Sequence, residues 1–373
     1  MSGGAVGGGV GGRIGGGGGD VRPADERGRT GAADAGGDSA VGGASSAARP
    51  RRLGLLTDVD GAGPLREADD RFPYSPGARI AGDLTVIGHL SPGRHGHLYQ
   101  VWSARSWCAL TCKIAAPERL GEREAIASFR KEARILRRLD HPNVVRFFGA
   151  GEHEGLPFLL MEYLEGPSVF DILECRPRRR LDVADAVRVA IHIGAGLFHL
   201  HRRGYLHLDV KPANLLLRDA VPVLVDFDVA RPIRPARRPR RSLGTAPYMA
   251  PEQVRQEPQT AATDVYGLGA VLYEMVTGRW PYEDVFTGKD RRRGEERYFP
   301  QIGERPPPST REFNGGIPPS LDRTILRCLA HAPEDRFASL HPLLLRLTAA
   351  LDEPTALWPA GVQAERRRRP RPA

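Results

Sequence analysis

Three short stretches, residues 83–88, 97–104 and 107–114, are rich in Val, Ile, Leu, Tyr and Trp and are separated by turn residues. They read as antiparallel strands. Over residues 122–139 the period changes. Ile126, Phe129, Ala133, Leu136 and Leu139 recur at spacings of three and four, as on an amphipathic helix. His141, Pro142 and Asn143 stop it. Residues 144–149 and 157–162 are two more strand candidates. The sum is a five-stranded antiparallel sheet with one helix, ending near Tyr163. Beyond it, residues 183–202, 263–277, 321–330 and 340–351 carry helical periods, with strands and loops between 207 and 252. The expected class is α+β: a small sheet-rich part joined to a larger helical part. The joint makes a cleft, the usual home of a ligand site.

The two ends of the chain break this pattern. Of the 44 glycines, 18 lie in the first 50 residues, in a stretch with no aromatic side chain and no apolar period. Such a segment cannot bury enough surface to offset its ordering entropy. Residues 1–78 are therefore expected to be disordered, and residues 353–373 to form a basic disordered tail. The ordered parts should be residues 79–163 and 164–352. No apolar run of signal-peptide type opens the chain. No stretch reaches the roughly 18 apolar residues of a membrane span, because Asp185, Arg188, His192 and His199 interrupt residues 183–200. Cys108, Cys112, Cys175 and Cys328 have no metal-ligand spacing and are expected to be reduced thiols. A soluble, cytoplasmic protein is expected.

The net charge is +9, carried by four lysines and 50 arginines. So strong an arginine bias points to a GC-rich bacterial genome rather than to a nucleic-acid surface, so nucleic acid is not the expected partner. The oligomeric state is open.

Some residues carry chemistry. Ser91, Gly93 and Gly96, with Leu90 and Leu98 beside them, mark a Gly-rich turn between the first two strands. Such a turn lets backbone N–H groups approach phosphate, although by itself it is also an ordinary hairpin. Lys113 ends the third strand, and Glu132 lies on the helix that follows. The segment from His207 to Asn214 holds Asp209, Lys211 and Asn214, and an apolar run then leads to Asp226. Phosphoryl transfer needs a group that orients the hydroxyl, a cation at the phosphate, and oxygen ligands for Mg²⁺. Asp209, Lys211, Asn214 and Asp226 supply that set.

In this order the motifs resemble the eukaryotic-type (Hanks-type) serine/threonine protein kinases. The resemblance extends from residue 83 to residue 351. It implies the bilobal protein kinase fold, with a sheet-rich N-lobe and a helical C-lobe, and Mg·ATP as phosphate donor. It also implies protein substrates with Ser/Thr acceptors, autophosphorylation included. By the same resemblance Asp209 orients the substrate hydroxyl and Lys211 neutralises the transferring phosphate. Asn214 and Asp226 hold Mg²⁺, and Lys113 grips the phosphates while tied to Glu132. Met161 backs the adenine pocket, and Glu162 to Leu164 form the hinge. Ser242 and Thr245 are activation-segment hydroxyls, Glu252 and Arg336 a structural ion pair, and Leu136, Phe147, His207 and Phe227 an apolar stack between lobes.

Three positions depart from the family pattern. Ser91 replaces the first loop glycine. Asp228 replaces the glycine of the Asp-Phe-Gly motif, putting a second carboxylate near the metal loop. Leu208 stands where many relatives have the arginine that pairs with an activation-loop phosphate. The loop from Arg231 to Arg241 carries six arginines, and activity without loop phosphorylation, on acidic substrates, is one expectation from it. The alternative to an active enzyme is a pseudokinase, an ATP-binding scaffold.

Overall fold

The computed structural model describes residues 72–92, 96–119, 121–234, 243–283, 300–303 and 305–351. Its N-terminal part is built on one antiparallel sheet of strands β1 (Arg79–Ile80), β2 (Leu84–Ser91), β3 (Gly96–Ser103), β4 (Cys108–Ala115), β5 (Phe147–His153) and β6 (Leu156–Glu162). The order is β1-β2-β3-β4-β6-β5. The five expected strands are all present, and the two-residue β1 adds a sixth at the edge. Helix α1 (Arg123–Leu136) lies against the sheet and buries Ala125, Phe129, Glu132, Ala133 and Leu136 along one stripe. It ends three residues before the apolar period does, because Arg138 and Leu139 donate to the carbonyls of Ile135 and Leu136 in a tighter turn.

Two boundaries differ from expectation for a physical reason. Val144 and Val145, expected to begin β5, are buried against the helical part instead. Val144 bridges Leu224, and the Val145 N–H donates to the Leu224 carbonyl at 3.0 Å. Upstream, Phe72 is buried and stacks on His89 with ring centroids 4.2 Å apart. The His89 Nε2 lies 2.8 Å from the Tyr74 carbonyl oxygen. Residues 72–78, which composition groups with the disordered segment, thus pack on β2 and β3.

The C-terminal part comprises α2 (Val169–Glu174), α3 (Val183–Arg202), α4 (Pro251–Val254), α5 (Ala261–Thr277), α6 (Thr310–Phe313), α7 (Pro319–Cys328) and α8 (Leu340–Ala349). Two small antiparallel pairs sit at its top: β7 (Tyr205–Leu206) with β10 (Arg231–Pro232), and β8 (Leu215–Arg218) with β9 (Val221–Leu224). Helix α5 is buried almost throughout. Thr260 caps its start, and Gly278 ends it at φ +78°, a left-handed residue suited to glycine. Among the described residues, α3 has the length and composition of a membrane-crossing helix, with a hydropathy of 1.3. Its apolar stripe (Ala186, Val187, Ala190, Ile193, Leu197 and Leu200) is core, packed against α5, α8 and β9. The four cysteines are free, and burial pushes the Cys112 thiol up to about 12.

Candidate active site

Glu132 sits on the buried stripe of α1 with 1% of its surface exposed. A carboxylate there requires a partner. Lys113, paired across the sheet with Leu98 on β3 and Leu159 on β6, supplies it. Its Nζ donates to Glu132 Oε1 and Oε2 at 3.1 and 2.9 Å, and to Asp226 Oδ1 at 3.2 Å. Burial alone would lower the Lys113 pKa. The carboxylates of Glu132, Asp226 and Asp228 outweigh it and hold the ammonium above its usual range. Glu132 goes the other way from most paired acids, since burial lifts its carboxyl more than Lys113 lowers it. For Asp226 burial also pushes upward, but Lys113 prevails and holds it below the usual carboxylate value.

The segment between β7 and β8 is fixed from beneath. Asp264, in the first turn of α5, accepts the backbone N–H groups of His207 and Leu208 at 2.9 and 2.8 Å. It also lies 2.7 Å from His201 Nε2. These bonds hold Leu208 at φ +71°, a left-handed conformation costly for a branched side chain. The turn delivers Asp209, Lys211 and Asn214 to one spot. Lys211 Nζ donates to Asp209 Oδ2 at 2.7 Å and to Thr245 Oγ1 at 3.0 Å. The Thr245 hydroxyl in turn donates to Asp209 Oδ1 at 2.8 Å. Asn214 Nδ2 donates to the Asp209 carbonyl at 2.9 Å, which leaves the amide oxygen as its acceptor.

Around this centre Met161 is buried on β6 opposite Thr111 and Phe147. Leu98 and Leu164 are half-buried, while Leu90 and Ser91 are exposed at the end of β2. Gly96 is closely packed: an added Cβ would strike the Ile114 carbonyl and come within 2.7 Å of Phe129. The Glu162 carboxylate accepts the Arg146 N–H at 2.8 Å and pairs with Arg218. The His207 and Phe227 rings meet edge-on at 5.0 Å. Gly93 and Ser242 lie outside the described residues. Glu252 and Arg336 meet at 2.8 and 2.9 Å through both guanidinium ends.

Sequence reasoning placed Thr245 with the loop hydroxyls; the fold places it in the Asp209–Lys211 cluster. It also missed His201, Ser128 and Lys131, whose partners lie about 60 to 100 residues away and leave no local pattern.

The family model for the protein kinase domain matches residues 84–345. This chain belongs to the protein kinase family. Its relatives include the serine/threonine-protein kinase PrkC of Bacillus subtilis, 27% identical over 281 residues. That match covers 74% of this chain and 42% of PrkC. Another is the serine/threonine-protein kinase PknB of Mycobacterium tuberculosis, 36% identical over 225 residues, covering 56% of this chain and 33% of PknB. The chain thus spans less than half the length of these relatives. The solved kinase domain of Mycobacterium tuberculosis PknI matches in fold, with a TM-score of 0.58 at 23% identity, over 74% of this chain and 100% of that one.

Within this kinase domain the Asp228 departure has a definite geometry. The Asp228 Oδ1 accepts the Ser128 hydroxyl at 3.0 Å, and its carbonyl oxygen accepts Lys131 Nζ at 2.6 Å. Both partners lie on α1. Leu208, in place of the phosphate-reading arginine, is buried at 4% exposure.

Proposed function

We propose that this chain is a serine/threonine protein kinase that moves the γ-phosphate of ATP to Ser or Thr hydroxyls of proteins. The observation that carries this reading is the Asp209–Lys211–Thr245 cluster, set beside a formed Lys113–Glu132 pair that also reaches Asp226. Asp209 accepts hydrogen bonds from Lys211 and Thr245, so its carboxylate is oriented before any substrate arrives. It receives the proton side of the acceptor hydroxyl. Lys211 brings a positive charge to the γ-phosphate, and Lys113 grips the α- and β-phosphates. The backbone of residues 162–164 holds the adenine, and Met161 closes the pocket behind it.

The donor set suits a divalent cation of the Mg²⁺ kind. Lys113 holds the Asp226 carboxyl below its usual range, 41% of that side chain is exposed, and Asn214 keeps a carbonyl oxygen to spare. Among the described residues no group of three His, Cys, Asp or Glu side chains is placed to hold a metal ion by itself. A hard cation held by two protein oxygens plus phosphate and water needs none. When bound, the ion neutralises phosphate charge. The names of the bacterial relatives support the Ser/Thr assignment, and free thiols and an ATP requirement suit the cytoplasm.

The test is transfer of labelled γ-phosphate from Mg·ATP to the chain itself and to a generic protein, beside Asp209→Asn. Label in the wild type and a loss of at least about a hundredfold in the variant is the expected result. No label in either, with ATP still bound, overturns the reading in favour of an ATP-binding scaffold.

A further inference from the structure

We infer that Asp228 is a positioning residue: its carboxylate latches α1 to the metal loop and keeps Glu132 in reach of Lys113 without help from an activation-loop phosphate. This rests on the kinase reading above.

Glu132 can serve Lys113 only if the helix stays close to the sheet and to residues 226–228. Four links, the first a bridge through Lys113, hold that arrangement at successive points. Lys113 joins Glu132 to Asp226. The Phe227 N–H donates to Glu132 Oε1 at 3.3 Å. Lys131 reaches the Asp228 carbonyl at 2.6 Å. Ser128, one turn before Glu132 on the same helix face, donates to the Asp228 carboxylate at 3.0 Å. A glycine at position 228 supplies the carbonyl but not the carboxylate, so the last bond exists because the residue departs from the family pattern.

A second departure gives the latch its purpose. With Leu208 buried, the chain has no arginine at the place where relatives read a loop phosphate. A helix that is not held through a phosphate must be held otherwise, and the charge-assisted Ser128–Asp228 bond does this from the loop adjoining the metal aspartate. One oxygen of the added carboxylate thus faces α1.

The experiment compares the full chain with Ser128→Ala, Asp228→Ala, the double variant and Asp228→Asn. The readouts are kcat/KM for ATP, Mg²⁺ dependence, thermal midpoint, and amide hydrogen exchange across residues 123–136. Each single alanine variant is expected to lose about three- to tenfold in kcat/KM. The double should lose no more than either, since both remove one bond. Asp228→Asn keeps an acceptor oxygen but loses the charge, so it should lose less than Asp228→Ala does. Exchange in α1 quickens in the same three alanine variants. Unchanged kcat/KM and exchange, or a lowered thermal midpoint alone, overturns the latch. So does a raised Mg²⁺ requirement in Asp228→Ala that Ser128→Ala does not share, which makes Asp228 a metal residue. If the wild type transfers no phosphate, the kinase reading fails, and the exchange pattern alone still decides for or against the latch.

Discussion

Two buried ion pairs, Glu252–Arg336 and Lys113–Glu132, resemble each other in composition and differ in completeness. Arg336 has no exposed side-chain surface. It spends every donor: on both oxygens of Glu252 and on the carbonyls of Ala330, Ala262 and His331. Thr263 adds a further bond to Glu252 at 2.8 Å. Nothing is left over for a ligand. The Lys113–Glu132 pair is anchored just as deeply on the Glu132 side, yet its third member, Asp226, keeps an open face toward the cleft. A saturated pair fixes a fold. An unsaturated one, with a carboxylate exposed beside it, can act on something that comes and goes.

Removing one partner from each pair is the strongest way to break that contrast. Arg336→Met strips Glu252 of its partner in a dry site and should cost about 3–5 kcal/mol of stability, read as a drop in the denaturant midpoint. Lys113→Met should behave otherwise. Glu132, already raised by burial, takes up a proton rather than stay as a bare charge. Stability then falls far less than in Arg336→Met, while phosphate transfer falls by about 10²- to 10³-fold. If Lys113→Met unfolds as readily as Arg336→Met, the two pairs are equivalent and the contrast is wrong.

A smaller effect separates two buried carboxylates by pH. For Asp264, burial pushes the carboxyl upward, but His201 and the His207 amide outweigh it and hold it below the usual 3.8. A folded-state value below the unfolded one means that its stabilisation is complete above pH 3.8 and is lost as the pH falls through the folded value. Glu132, raised above the usual 4.5, has the opposite sign, and its contribution is withdrawn as the pH rises past 4.5. Asp264→Asn should therefore flatten the acid limb of the thermal midpoint below about pH 4, and Glu132→Gln should leave that limb intact. An unchanged acid limb in Asp264→Asn sinks this assignment.

The strands around Lys113 and the helix bearing Glu132 were legible because one face of each is apolar at the period of its element. The meeting of Lys113 with Glu132, and of Glu252 with Arg336, came from the order of motifs rather than from local pattern. Val144 and Val145 show where local reading fails. They have strand composition, but the carbonyl they serve belongs to Leu224, on another element. Thr245 fails for the same reason. A hydroxyl near the end of a loop gives no sign in sequence that it will lie between Asp209 and Lys211. Residue 228 was visible as a departure, and only the fold shows that its carboxylate faces Ser128.

The stack of Phe72 on His89 bears on where this domain starts. Family likeness begins at residue 84, whereas packing reaches back at least to residue 72. A fragment trimmed to the edge of likeness would strip Phe72 and Tyr74 from Tyr99 and His89 and open an aromatic face on β2 and β3. Contact carries this module further upstream than kinship does, and a pull on residue 72 is felt by β2 and β3 through these rings.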